Sequence, residues 1–307
     1  MKRFARAVLA AALATPLAAR AADAPLSVPF DFSRHVIGLD VTVKGHKLFM
    51  LLDTGVNPST IDLARAGELG MPLDRKAAGV GNGEGGGRAE AIPSAIKTLA
   101  IGGRGFGDID ALAVDMTAVS SGYGRKVDGA LGYSFLKGKI VLIDYPAKTV
   151  SFFSSGSAAA ARTATCRRHY TTAFVSFGDA EFPLMRDFHI GAIKGPATLD
   201  TGSSRLIGIY RGALNVTGLA QTVKIAGQEK GASFGGSYTT GNATLTVPAG
   251  IGPFELPAGQ AVSIMPDEGS MQTRIANIGN QFLASMNGKL LLDYAVGRIA
   301  LFADCGR

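Results

Sequence analysis

The chain has 307 residues, enough for two domains of ordinary size, with a formal net charge of +7. It has 41 glycines, no tryptophan, and short apolar runs broken by Gly, Pro, Asp and Asn, which point to strands rather than long helices. Two cysteines exclude a disulfide framework and a cysteine-rich zinc site. The four histidines (His35, His46, His169, His189) show no metal-ligand spacing, so no metal or organic cofactor is expected.

In chain order, residues 1–21 read as a secretory signal peptide. Lys2, Arg3 and Arg6 precede an apolar run from Ala7 to Ala19, and Ala19-Arg20-Ala21 is a small-x-small cleavage site. Without those residues the charge falls to +3, too weak an excess to argue for nucleic acid, and no later run is long enough to span a membrane. "FMLLDTGVNPSTID" (Phe49 to Asp62) then drives an apolar strand straight into Asp53, followed by Thr54 and Gly55. A single Asp-Thr-Gly most often means a strand ending in an Asx-type turn. "TIDLARAGELGM" is the best short helix candidate. "AGVGNGEGGGRAEAI" (Ala78 to Ile92) reads as a glycine-rich hairpin, and "ALGYSFLKGKIVLIDYPAKTVSFF" (Ala130 to Phe153) ends in an alternating strand. "SSGSAAAARTAT" (Ser154 to Thr165) reads as a linker.

Beyond the linker the pattern repeats. "PATLDTGSSRLIGI" carries Asp200, Thr201 and Gly202, 147 residues after the first copy. "NIGNQFLASMNGKLLLDYAVGRIALF" (Asn277 to Phe302) matches the segment that begins at Ala130. Gly132 follows Asp53 by 79 residues, and Gly279 follows Asp200 by 79. A chance Asp-Thr-Gly is expected on the order of 0.05 times in a chain of this length. Two copies with matched downstream partners therefore mark a duplicated β unit, with lobes at 22–153 and 166–307.

Two Asp-Thr-Gly loops, each with a downstream apolar-apolar-Gly element, resemble the aspartic peptidases of the pepsin and retropepsin type. "LLDTG" with "ALGYSFL" is most similar to bacterial retropepsin-like domains, and the tandem layout resembles pepsin. The resemblance implies an all-β, bilobal fold in which the loops meet on a pseudo-twofold axis, with Asp53 and Asp200 as catalytic residues. Thr54, Gly55, Thr201, Gly202 and Ser203 would support the loops. A glycine-rich flap would be formed by residues 78–92, and Phe234 and Tyr238 of "GASFGGSYTTG" are candidates to line the cleft. Cys166 and Cys305, at the start and end of the second lobe, would fall on strands that run near each other in this family and are expected to be bridged. The sequence departs from the pepsin pattern at Val56, where those enzymes have Ser, at Asn277, which replaces the first apolar residue of its element, and in lacking a flap tyrosine.

Paired carboxylates share one proton, as in this family, so that one activates a water while the other protonates the scissile carbonyl. The expectation is a periplasmic or secreted, monomeric aspartic endopeptidase acting on a peptide or protein, with no nucleic-acid or membrane partner after signal cleavage. Three alternatives remain open. The same fold can serve as an inactive peptide-binding protein. A carboxylate-pair glycosidase would not need two symmetric Asp-Thr-Gly loops. Each lobe can also pair with another molecule, as retropepsin subunits do. Gly231-x-Ser233-x-Gly235 and Gly81-x-Gly83-x-x-Gly86 match hydrolase and dinucleotide patterns but lack the strand–helix contexts those need.

Overall fold

The computed structural model describes residues 24–84, 87–267 and 273–306. The expected signal peptide lies outside them. Strands dominate, and the few α-helices are short; the longest among the described residues is Thr117–Tyr123.

The duplication read from the sequence is visible in the strand order. Among the described residues the first half forms a seven-stranded sheet. Its spatial order is Gly38–Val43, His46–Leu52, Gly129–Leu131, Ser59–Asp62, Arg104–Val114, Arg88–Ile101, Gly79–Asn82. Seven strands of the nine-stranded sheet in the second half follow the same order: Leu184–Ile190, Ile193–Leu199, Ala276–Ile278, Ile207–Tyr210, Ala261–Met265, Gly236–Leu245, Val223–Ser233. In each half a hairpin leads into the Asp-bearing strand, which pairs in parallel with the apolar-apolar-Gly element, Leu52 opposite Leu131 and Leu199 opposite Ile278.

The physical cause is the same in both halves. "HKLFMLL" is buried at its last five residues, as a strand covered on both faces must be. A short helix starts after each element's glycine, at Tyr133–Leu136 and Asn280–Ser285. Both glycines are needed for close approach. A Cβ on Gly132 would sit 2.4 Å from the Val56 carbonyl oxygen, and one on Gly279 would sit 2.2 Å from that of Arg205.

A third sheet joins the two halves. It runs Leu26–Pro29, Thr149–Phe153, Ile140–Asp144, Lys289–Asp293, Arg298–Cys305, Cys166–Ala173 among the described residues. At its centre the two repeated "Asp-Tyr" segments pair antiparallel, Leu142 opposite Leu291. The halves also share one continuous apolar core, which includes Leu52, Leu131, Leu199, Ile278, Leu290 and Leu292. Cys166 and Cys305 are direct cross-strand partners and form a disulfide. The stretch read as a linker is not simply coil: Gly156–Ala161 is a short helix capped by the Ser155 hydroxyl. Helix Leu63–Glu68 forms where "TIDLARAGELGM" predicts one, with the Asp62 carboxylate accepting the Arg65 amide N–H at its start.

Candidate active site

Each aspartate is delivered by its strand and fixed through its backbone, with Asp53 N–H donating to Leu131 O and Asp200 N–H to Ile278 O. The threonines that follow lock the loops together. Thr54 Oγ1 donates to Leu199 O at 2.9 Å and accepts from Thr201 N at 3.1 Å. Thr201 Oγ1 donates to Leu52 O at 2.8 Å and accepts from Thr54 N at 3.0 Å. Both hydroxyls are buried with donor and acceptor capacity used, and this makes the two loops one rigid unit.

The carboxyl groups meet at the floor of a cleft of about 510 Å³, both half-buried. A Cβ on Gly202 would lie 2.2 Å from Asp53 Oδ2, and one on Gly55 would lie 3.0 Å from Asp200 Oδ1, so each loop's glycine faces the other loop's carboxyl. Asp53 Oδ1 accepts from Gly55 N and Asp200 Oδ1 from Gly202 N, each at 2.8 Å. Burial holds the Asp53 carboxyl well above the usual range, and the charge of Asp200 pushes it the same way.

Ser203, expected to support its loop, is buried, and its Oγ accepts from Arg205 N at 3.4 Å. The side-chain donor to Asp200 is Asn277, whose Nδ2 lies 3.0 Å from Oδ2. From the sequence this residue looks like a flaw in the repeat. Asn280 is a second unforeseen support: its Nδ2 donates to Thr201 O and Ser203 O, and its Oδ1 accepts from Tyr145 OH of the first half.

The cleft is covered from both sides. The hairpin of Gly79–Asn82 and Arg88–Ile101 falls where the flap is expected, with residues 85 and 86 outside the described ones. Its counterpart by strand order, the hairpin of Val223–Ser233 and Gly236–Leu245, comes from the second half to meet it. A Cβ on Gly87 would be 2.6 Å from the Gly235 carbonyl oxygen. Phe234 lines the cleft and its ring lies against Gly81. The Tyr238 hydroxyl is engaged elsewhere, donating to Glu84 Oε2 and accepting from Arg205 Nη2, both at 2.6 Å. Arg205 Nη1 pairs with Glu84 Oε1, and Ser233 Oγ donates to the Glu84 carbonyl at 3.0 Å. Burial raises the Glu84 carboxyl above its ordinary value against the opposing pull of Arg205. Glu84 and Arg205 are legible only as a charge inside a glycine-rich turn and a residue just past the second loop. Gly231-x-Ser233-x-Gly235 lies at the end of this second hairpin, not at a strand–helix elbow. No group of three His, Cys, Asp or Glu suited to a metal occurs among the described residues.

Residues 39–135 match a family model described as aspartyl protease. Among solved structures the crystal structure of basic 7S globulin from soybean is similar to this chain, with a TM-score of 0.47 and 11% identity, covering 92% of this chain and 95% of its own. A comparison with curated proteins finds no match.

Proposed function

We propose that this chain, which carries an aspartyl protease family domain over residues 39–135, is an aspartic endopeptidase whose catalytic pair is Asp53 and Asp200. The observation that carries the reading is the reciprocal Thr54–Thr201 lock, which holds two carboxyl groups face to face at the floor of a cleft. Two carboxyls so placed hold one proton between them at working pH and titrate as a pair. The ionised partner takes a proton from a water held between them as that water attacks the scissile carbonyl. The protonated partner donates to the carbonyl oxygen, and no covalent enzyme adduct forms. The two hairpins must part to admit an extended peptide and close again to exclude solvent.

The export signal read from residues 1–21 and the Cys166–Cys305 bridge support a periplasmic or secreted location, where such a bond persists. No helix among the described residues is long and apolar enough to cross a membrane. A monomer is the reading favoured by two aspartate loops in one chain. One observation favours the alternative of a peptide-binding protein without turnover: the hairpins are tied across the cleft by Glu84, Arg205 and Tyr238. The test is incubation of the mature protein with a mixed peptide library from pH 3 to 7, with and without pepstatin. Pepstatin-sensitive cleavage is the expected result. Peptide binding without cleavage at any pH supports the alternative and overturns the enzyme reading.

A further inference from the structure

The two halves are alike in backbone but not in what surrounds each carboxyl. In the first half, Leu51 lies opposite Ala130 just behind Asp53. The same register in the second half holds Thr198 opposite Asn277, so two apolar residues are replaced by two polar ones behind Asp200 only. These form a chain of hydrogen bonds. Arg274 Nη1 donates to Thr198 Oγ1 at 3.2 Å, Thr198 Oγ1 donates to Asn277 Oδ1 at 2.8 Å, and Asn277 Nδ2 donates to Asp200 Oδ2 at 3.0 Å.

The direction of the chain follows from its first member. A guanidinium only donates, so Thr198 accepts from it and has its own proton free for the Asn277 carbonyl oxygen. That fixes the amide with its N–H toward Asp200. The flipped amide would set an acceptor oxygen against a carboxylate oxygen and take that acceptor from the Thr198 proton. Both oxygens of Asp200 therefore accept from fixed donors, Gly202 N and Asn277 Nδ2. Asp53 accepts from Gly55 N at Oδ1, and its Oδ2 is turned toward the opposite loop.

We infer that Asn277 is a positioning residue that breaks the symmetry of the pair, making Asp200 the ionised member and leaving the shared proton on Asp53. A hydrogen bond donated to a carboxylate is stronger than one donated to the neutral acid, so the amide favours charge on the group it touches. The other charged groups around the pair, among the described residues, are Glu84 of the first hairpin, which acts on both carboxyls, its partner Arg205, and Arg274 and Asp267, which also line the cleft. Glu84 disfavours charge on either carboxyl and Arg205 favours it on Asp200, while Asn277 donates directly to an Asp200 oxygen. The catalytic meaning rests on the aspartic peptidase reading. In that reaction the attacking water gives its proton to Asp200 while Asp53 gives its proton to the carbonyl oxygen, yielding a neutral gem-diol. Proton transfer from Asp200 to the leaving nitrogen and from the diol back to Asp53 then releases both products and restores the starting state.

The test is carboxyl-carbon NMR of protein labelled at aspartate, titrated from pH 2 to 8, with the two signals assigned by Asp53→Asn and Asp200→Asn. In wild type, Asp200 is expected to ionise at the lower step of the pair and Asp53 at the upper. Asn277→Ala, which installs the first half's residue at that register, should move the lower step up by about one pH unit. Thr198→Val, which keeps the amide but removes what orients it, should move it the same way by less. Asp53 ionising first in wild type overturns the inference, as does an unmoved lower step in either folded variant. Should Asn277→Ala not fold, the wild-type assignment and Thr198→Val still decide. The titration reads the carboxyls whether or not peptide is cleaved, so an inactive protein that titrates in this way counts against the peptidase reading alone. In an active one the acid limb of the kcat/KM profile should shift with the lower step.

Discussion

Asp53 is held by its own stabilising contacts in a place that disfavours its charge. Burial and the neighbouring Asp200 raise its proton affinity in the folded state, while the unfolded chain returns it to its ordinary value of 3.8. The contribution of this group to stability is therefore fully present below about pH 4 and is lost as pH rises through the folded value. Asp53→Asn is neutral at every pH, so it should melt with the wild type near pH 3 and a few degrees higher at pH 7, as read by calorimetry. A variant that melts below wild type at pH 7 would mean that the ionised pair stabilises the fold. At this scale the sequence is legible where a residue repeats and misleading where it does not. Asp53, Asp200 and their Thr-Gly partners announce themselves by duplication. Asn277 is visible only as a mismatch, because its value lies in a contact made from a parallel strand 77 residues away in the chain.

Two hairpins at equivalent positions in the two sheets close over the cleft, and Glu84 of the first is held by a half-buried ion pair with Arg205 and by the Tyr238 and Ser233 hydroxyls of the second. Such a pair is worth little over apolar packing, but removing one partner strands the other charge, at a cost below the about 3–5 kcal/mol of a fully buried pair because solvent reaches both side chains. Glu84→Ala should therefore loosen both hairpins without unfolding the molecule. Amide hydrogen exchange at residues 79–84 and 229–238 is expected to speed up, while the strand Ile140–Asp144 in the shared sheet keeps its protection. Unchanged exchange in both hairpins would show that the backbone approach of Gly87 and Gly235, rather than the ion pair, holds the cover. The first hairpin was legible from its glycines and its place after the first loop. The role of the second was not, because the bond from Tyr238 to Glu84 joins residues 154 apart on opposite halves and follows no local pattern.

The molecule as a whole is a duplicated β unit welded at its base by a common sheet. Matched Asp-Thr-Gly and apolar-Gly segments foretold the duplication. The welding was less legible, since the antiparallel pairing of Leu142 with Leu291 depends on how the two units dock and not on either alone. The Cys166–Cys305 bridge spans 139 residues and ties the edge strand Cys166–Ala173 of that sheet to its neighbour Arg298–Cys305. It should contribute about 2–4 kcal/mol, mainly by restricting the unfolded chain. Cys166→Ser with Cys305→Ser is expected to lower the melting temperature while leaving the titration of the aspartate pair where it was. A moved titration would show that the bridge shapes the cleft. The central claim is that one aspartate from each half acts as a single catalytic unit. Its most direct measurement is the rate of peptide cleavage by wild type, Asp53→Asn, Asp200→Asn and the double variant. Either single substitution should remove nearly all activity and the double should lose little more, because each leaves the pair unable to share a proton. A folded single variant that keeps a tenth or more of the wild-type rate would contradict it.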